Sequence, residues 1–156
     1  MLQIGEFAPL TIIVQNQVGT EVSLDMLLGK PTVVYFYPKD DTPGCTKEAC
    51  EFRDYNAELQ QLGVQVVGVS ADSILSHTKF IEKYVLPFPL WSDPEKKLIQ
   101  AFGVLVEKSM FGKKYKGILR ATFILDENGK VIQIWSKVDP KIHAKEVLDF
   151  FINRKA

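Results

Sequence analysis

Pro38, Thr42, Cys45 and Cys50 are the residues of this chain whose types and spacing point to chemistry. They lie on one stretch, Pro-Lys-Asp-Asp-Thr-Pro-Gly-Cys-Thr-Lys-Glu-Ala-Cys, from Pro38 to Cys50. A cysteine thiolate is a nucleophile and a reductant, and its reactivity depends on the positive charge and donors held around it. A hydroxyl three residues before the first thiol and a glycine immediately before it fit a pocket built to hold an anion.

The flanking elements supply that pocket. Thr32-Val33-Val34-Tyr35-Phe36-Tyr37 is a β-branched and aromatic run of the kind found in buried central strands. After the cysteines, Ala49, Phe52, Leu59 and Leu62 recur at helical spacing. The junction reads strand, tight loop, helix. Thr42 suits the N-cap, Pro43 the first helical position and Gly44 the second, which puts Cys45 in the first turn. Amides there lack intrahelical partners, and the helix dipole favours negative charge at that end. Pro38 ends the strand and removes one donor, and Gly44 lets other groups approach the backbone closely.

Pro38-x-x-x-Thr42-x-x-Cys45 resembles the peroxiredoxin signature, and the likeness extends from end to end of the chain. Cys50 narrows it to the bacterioferritin-comigratory, or PrxQ-like, branch. The resemblance implies a thioredoxin-like fold and a peroxidase acting on hydrogen peroxide and organic hydroperoxides. In that scheme the Cys45 thiolate attacks peroxide and becomes a sulfenic acid. Cys50 resolves it as an intrachain disulfide, and thioredoxin or a similar dithiol reduces the bridge. Pro38 would shield the thiolate from water, and the Thr42 hydroxyl would bond thiolate or peroxide. The chemistry so read calls for no cofactor.

Peroxide cleavage also needs fixed donors aimed at the developing charge, and a guanidinium stays charged and offers several in a rigid fork. Arg120 is the candidate, because Arg120-Ala121-Thr122-Phe123-Ile124-Leu125-Asp126 resembles the strand carrying the family's active-site arginine. Arg53 is the rival. It lies eight residues past Cys45 on the same helix, about 12 Å along the axis, too far to share a small pocket. Glu48, one turn after Cys45, is left out of the catalytic set because its charge disfavours a neighbouring thiolate, although it is placed to orient Arg120.

The two thiols are not poised to join. In an ideal helix, residues five apart lie roughly 140° around the axis, with Cα atoms about 8 to 9 Å apart. A disulfide tolerates no more than about 7 Å. Cys45 shares a face with Ala49, Phe52 and Leu59, whereas Cys50 sits with Asp54, Ala57 and Gln61. A disulfide between them therefore requires the helix to unwind locally.

The rest of the chain reads as one α/β domain over residues 1–156. Thr11–Val14 and Glu21–Ser23 suggest an N-terminal hairpin, and Ser23 a short helix through Leu27. Gly63 should end the cysteine helix, and Val64–Ser70 gives a second strand parallel to the first through a right-handed crossover. Asp72 or Ser73 caps a helix to Tyr84, Leu90–Ser92 is a short extended piece, and Asp93-Pro94 opens a helix to Phe102. Leu119–Leu125 and Val131–Trp135 flank an Asn128-Gly129 turn as an antiparallel hairpin. Ile142, Val147, Leu148, Phe151 and Ile152 mark a final amphipathic helix. The sum is a thioredoxin-like layout, a central mixed sheet flanked by helices.

Nineteen basic residues balance nineteen acidic ones, so no global field draws in nucleic acid or an anionic membrane. Lys108, Lys113, Lys114 and Lys116 read as a solvated loop. No stretch reaches the apolar length of a membrane span, no secretory leader is visible, and two cysteines in such a chain suggest the cytoplasm. An intrachain resolving cysteine removes one reason to dimerise, so a monomer is expected. His77 and His143 read as exposed helical residues far from the cysteines, and no metal-ligand spacing appears. Two other functions compete. A thiol–disulfide exchange protein calls for Cys-x-x-Cys, against the Cys-x₄-Cys seen here. A non-catalytic redox sensor calls for a partner surface.

Overall fold

In a computed structural model, which describes residues 1–155, the chain folds around a seven-stranded sheet of order β2-β1-β5-β4-β3-β8-β9. The strands are β1 (Val14–Gln15), β2 (Glu21–Val22), β3 (Thr32–Phe36), β4 (Gln65–Ser70), β5 (Leu90–Ser92), β8 (Ala121–Leu125) and β9 (Val131–Trp135). A separate two-stranded hairpin joins β6 (Leu105–Met110) to β7 (Lys113–Ile118). The helices are α1 (Pro43–Gln61), α2 (Ile74–Tyr84), α3 (Lys97–Phe102) and α4 (His143–Lys155).

Alternation along β3 fixes which layer each residue enters. Val33 and Tyr35 face one core with Ala49, Phe52 and Leu59 of α1, Phe80 of α2, and Val147 and Phe151 of α4. Val34 and Phe36 face the other, with Phe102 of α3 and Phe123 of β8. Period-two side chains on a strand covered on both faces make every position apolar, which is why the run reads as continuous rather than alternating. The β3–α1–β4 unit is parallel, with Val33 opposite Val66 and Phe36 opposite Val69. On its other edge β3 pairs antiparallel with β8, Phe36 opposite Ala121.

Most predicted elements are present. Gly63 follows α1 at φ +76°, a conformation open to glycine. The N-terminal hairpin is shorter than expected, and its β1 strand also pairs with β5 at the sheet edge. α3 starts at Lys97 rather than beside Pro94, yet Asp93 still caps it, accepting from the amides of Lys97 at 3.0 Å and Ile99 at 2.9 Å.

Several expectations fail. Lys108, Lys113, Lys114 and Lys116 lie on the β6–β7 hairpin, not on a loop. Ile142 and Ile152 are exposed, so the apolar face of α4 is narrower than the spacing suggested. His77 and His143 are fully buried, each satisfied by polar partners from other elements. Among the described residues no helix is long and apolar enough to cross a membrane.

Candidate active site

The β3–β8 register delivers the site. Because Ala121 sits opposite Phe36, Arg120 emerges where the chain leaves β3 for α1. Thr42 occupies the N-cap position with extended φ and ψ, and Pro43 opens the helix. Cys45 is then in the first turn, 1% exposed and facing the core. Arg120 reaches across with both ends of its fork. Nη2 donates to Cys45 Sγ at 3.3 Å, and Nη1 donates to Glu48 Oε1 at 2.8 Å. A Cβ on Gly44 would stand 3.0 Å from Nη2, so the bare glycine is what admits the guanidinium.

The charges around Arg120 are unequal. Burial by itself would lower its pKa, but negative charge on Cys45 and Glu48 and their hydrogen bonds outweigh it and hold the guanidinium above its ordinary value. Glu48 lies wholly inside, and burial pushes its carboxyl up to about 7 against the pull of Arg120. Its Oε2 has no hydrogen-bond partner among the described residues. A carboxyl so placed carries only part of its charge near neutral pH, which weakens its competition with Cys45 for the guanidinium.

Thr42 departs from the expected cap. Its hydroxyl donates to the Lys39 carbonyl at 2.9 Å instead of accepting from a first-turn amide. Pro38 is half-buried beyond the end of β3. Arg53 is not at the site, since it bonds the Tyr84 carbonyl at 2.7 Å and Asp54 at 3.0 Å. Cys50 is half-buried beside an open groove lined by Asp41, Pro43, Thr46, Lys47, Lys83 and Tyr84. The structure thus gathers Cys45, Gly44, Glu48 and Arg120, with Cys50 on another face of the same helix.

Beneath the Pro38–Thr42 loop lies a polar network that sequence reading missed. The Asp40 carboxylate accepts from Tyr37 Oη at 2.6 Å and Ser76 Oγ at 2.8 Å, and lies 2.6 Å from His77 Nδ1. The Asp40 amide donates to Asp72 at 2.8 Å. His77 Nε2 lies 3.0 Å from the Trp91 carbonyl, which only accepts, so this nitrogen carries a proton. Burial, reinforced by Asp40, pushes the Tyr37 phenol well above its usual range. The network ties the loop to α2 and β5 and fixes the approach of the chain to Cys45. One signal for it was available, because His77, Phe80, Ile81 and Tyr84 share one face at helical spacing.

Known proteins resemble this chain in both sequence and fold. Residues 4–134 match the AhpC/TSA family. The chain is 47% identical to the peroxiredoxin Bcp of Bacillus subtilis over 147 residues, covering 94% of this chain and 93% of the relative. A solved structure of the bacterioferritin comigratory protein of Xanthomonas campestris, described in connection with its alkyl peroxide reduction activity, superposes with a TM-score of 0.91 at 39% identity. That match spans 97% of this chain and 98% of the other. A PrxQ mutant from Xylella fastidiosa superposes at 0.95 with 33% identity, covering 100% of this chain and 99% of its own. With the thiol, the helix terminus and the guanidinium assembled as they are, this chain belongs to the AhpC/TSA family, among the Bcp/PrxQ peroxiredoxins.

Proposed function

We propose that the chain reduces hydrogen peroxide and organic hydroperoxides with Cys45 as the attacking sulfur. The observation that carries this reading is the 3.3 Å contact between Arg120 Nη2 and Cys45 Sγ at the start of α1. The thiolate attacks one peroxide oxygen, the O–O bond breaks, and the second oxygen leaves as water or alcohol after gaining a proton. Arg120 and the first-turn amides hold the charge that develops. Thr42, with its hydroxyl proton committed to Lys39, accepts from the peroxide O–H. Pro38 keeps water from the sulfur.

The Cys45 sulfenic acid then condenses with the Cys50 thiol, releasing water and forming the disulfide. Both residues lie inside α1, so the helix must open between them. A dithiol protein of thioredoxin type returns two electrons to the bridge. A reducing compartment, the cytoplasm, suits two free cysteines, and resolution within one chain is compatible with a monomer.

The test is peroxide consumption coupled to thioredoxin and its reductase. Cys45→Ser should be inactive, and Cys50→Ser should react once and then stall. A Cys45→Ser variant that still turns over would overturn the assignment. Insulin-disulfide reduction without peroxide loss would indicate a thiol–disulfide exchange protein. Substoichiometric peroxide loss by the wild type would indicate a sensor.

A further inference from the structure

The β6–β7 hairpin carries four lysines, of which Lys113, Lys114 and Lys116 are exposed and Lys108 is half-buried. The Lys108 side chain folds back over its own hairpin. Val106 pairs with Gly117 and Lys108 with Tyr115. A Cβ on Gly117 would come within 2.8 Å of Lys108 Cδ and 3.1 Å of its Cε, so the stem lies across the bare glycine. From there Nζ donates to the Ile118 carbonyl at 2.7 Å. The next residue, Leu119, is held as well, its amide donating to the Val104 carbonyl at 2.8 Å. Arg120 follows directly.

We infer that Lys108 is a positioning residue for the peroxide site: its bond to the Ile118 carbonyl pins the Ile118–Leu119 segment that delivers Arg120 to Cys45. This rests on the reading of Cys45 as the peroxide-reducing thiol. Burial pulls the Lys108 ammonium below the usual lysine range, the charge of Arg120 lowers it further, and negative charge on Cys45 works the other way. A hairpin lysine serving only solubility would extend into water, as its three neighbours do. Burying part of an ammonium is costly unless it is bonded, and the Ile118 carbonyl meets that condition. The lysine does not touch the reacting atoms. It acts through Arg120.

Two measurements on reduced protein test this. One is the second-order rate of the first reaction with hydrogen peroxide. The other, in a Cys50→Ser background, is the rate of Cys45 alkylation by anionic iodoacetate relative to neutral iodoacetamide. A local cation favours the anionic reagent, and a purely structural contact has no reason to. Lys108→Met should slow the peroxide reaction about five-fold and lower the iodoacetate preference by a similar factor, the size of one partly screened charge. Lys108→Arg, which keeps charge and donors, should stay within about two-fold of wild type on both. Gly117→Ala pushes the stem off the hairpin and should also slow the peroxide reaction; if Lys108→Met does not fold, the same two measurements on this variant decide. Unchanged values in Lys108→Met, or a slower peroxide reaction with the reagent preference intact, would overturn the inference. A Cys45→Ser protein that still reduces peroxide defeats the underlying reading instead, which keeps the two failures apart.

Discussion

Replacing Glu48 by glutamine should change how stability depends on pH. Glu48 is 0% exposed, and its folded-state carboxyl titrates at about 7 instead of 4.5, because burial penalises the charged form more than Arg120 rewards it. The proton is therefore held more tightly in the folded protein than in the unfolded chain. The stabilisation from this group is fully present below pH 4.5 and is lost as pH rises to 7 and beyond. At 1.36 kcal/mol per pH unit, the whole change amounts to about 3 kcal/mol. Glutamine is close in shape to the neutral acid, keeps an oxygen for Arg120 Nη1 and has no charge to bury. Urea unfolding of reduced wild type and Glu48→Gln, followed by tryptophan fluorescence between pH 4.5 and 8, isolates the effect in the difference between the two curves. That difference should move in favour of the variant by about 3 kcal/mol across the range. A difference that stays flat would mean that Glu48 ionises at its ordinary pH, and the argument from burial would be refuted.

Two other perturbations bear on the guanidinium. Arg120→Lys keeps a cation but loses the rigid fork whose two ends hold Cys45 and Glu48, so the first reaction with peroxide should fall about 100-fold, in line with losing one preorganised donor; stopped-flow kinetics on the reduced enzyme reads it, and a loss under about three-fold would count against Arg120. Gly44→Ala places a Cβ 3.0 Å from Nη2, and should slow the same reaction while leaving the thermal midpoint of the reduced protein within a few degrees, about 1 kcal/mol in such a domain; an unchanged rate would show that the arginine needs no such clearance.

What the sequence revealed, it revealed through local rules. The Thr42-Pro43-Gly44 start of α1 depends on the extended backbone at Thr42 and on the fixed φ of proline, both of which act within a few residues. The β6–β7 hairpin was hidden for a physical reason. Its residues from Glu107 to Lys116 are mostly exposed on both faces, so no period-two burial marks them as strands. The histidines were misread for another. A polar residue on a helix is assigned to the solvent side unless a partner is known, and the partners of His77 and His143 come from Asp40 and Thr122, on distant segments. The same limit concealed how Glu48 would behave, since its pKa reflects how completely the core encloses it.

Sequence alone determined that a cysteine would stand in the first turn of a helix behind a buried strand, with a second thiol too far along that helix to bond it without unwinding. These are consequences of spacing and local conformation. Tertiary structure decided which cation meets the sulfur. Arg120 is 75 residues from Cys45 and reaches it because β8 pairs with β3 in one register. A shift of one residue in that pairing would turn every β8 side chain to the opposite face of the sheet. That register is held by packing on both faces of the sheet, a property of the folded whole that no single stretch of the chain encodes.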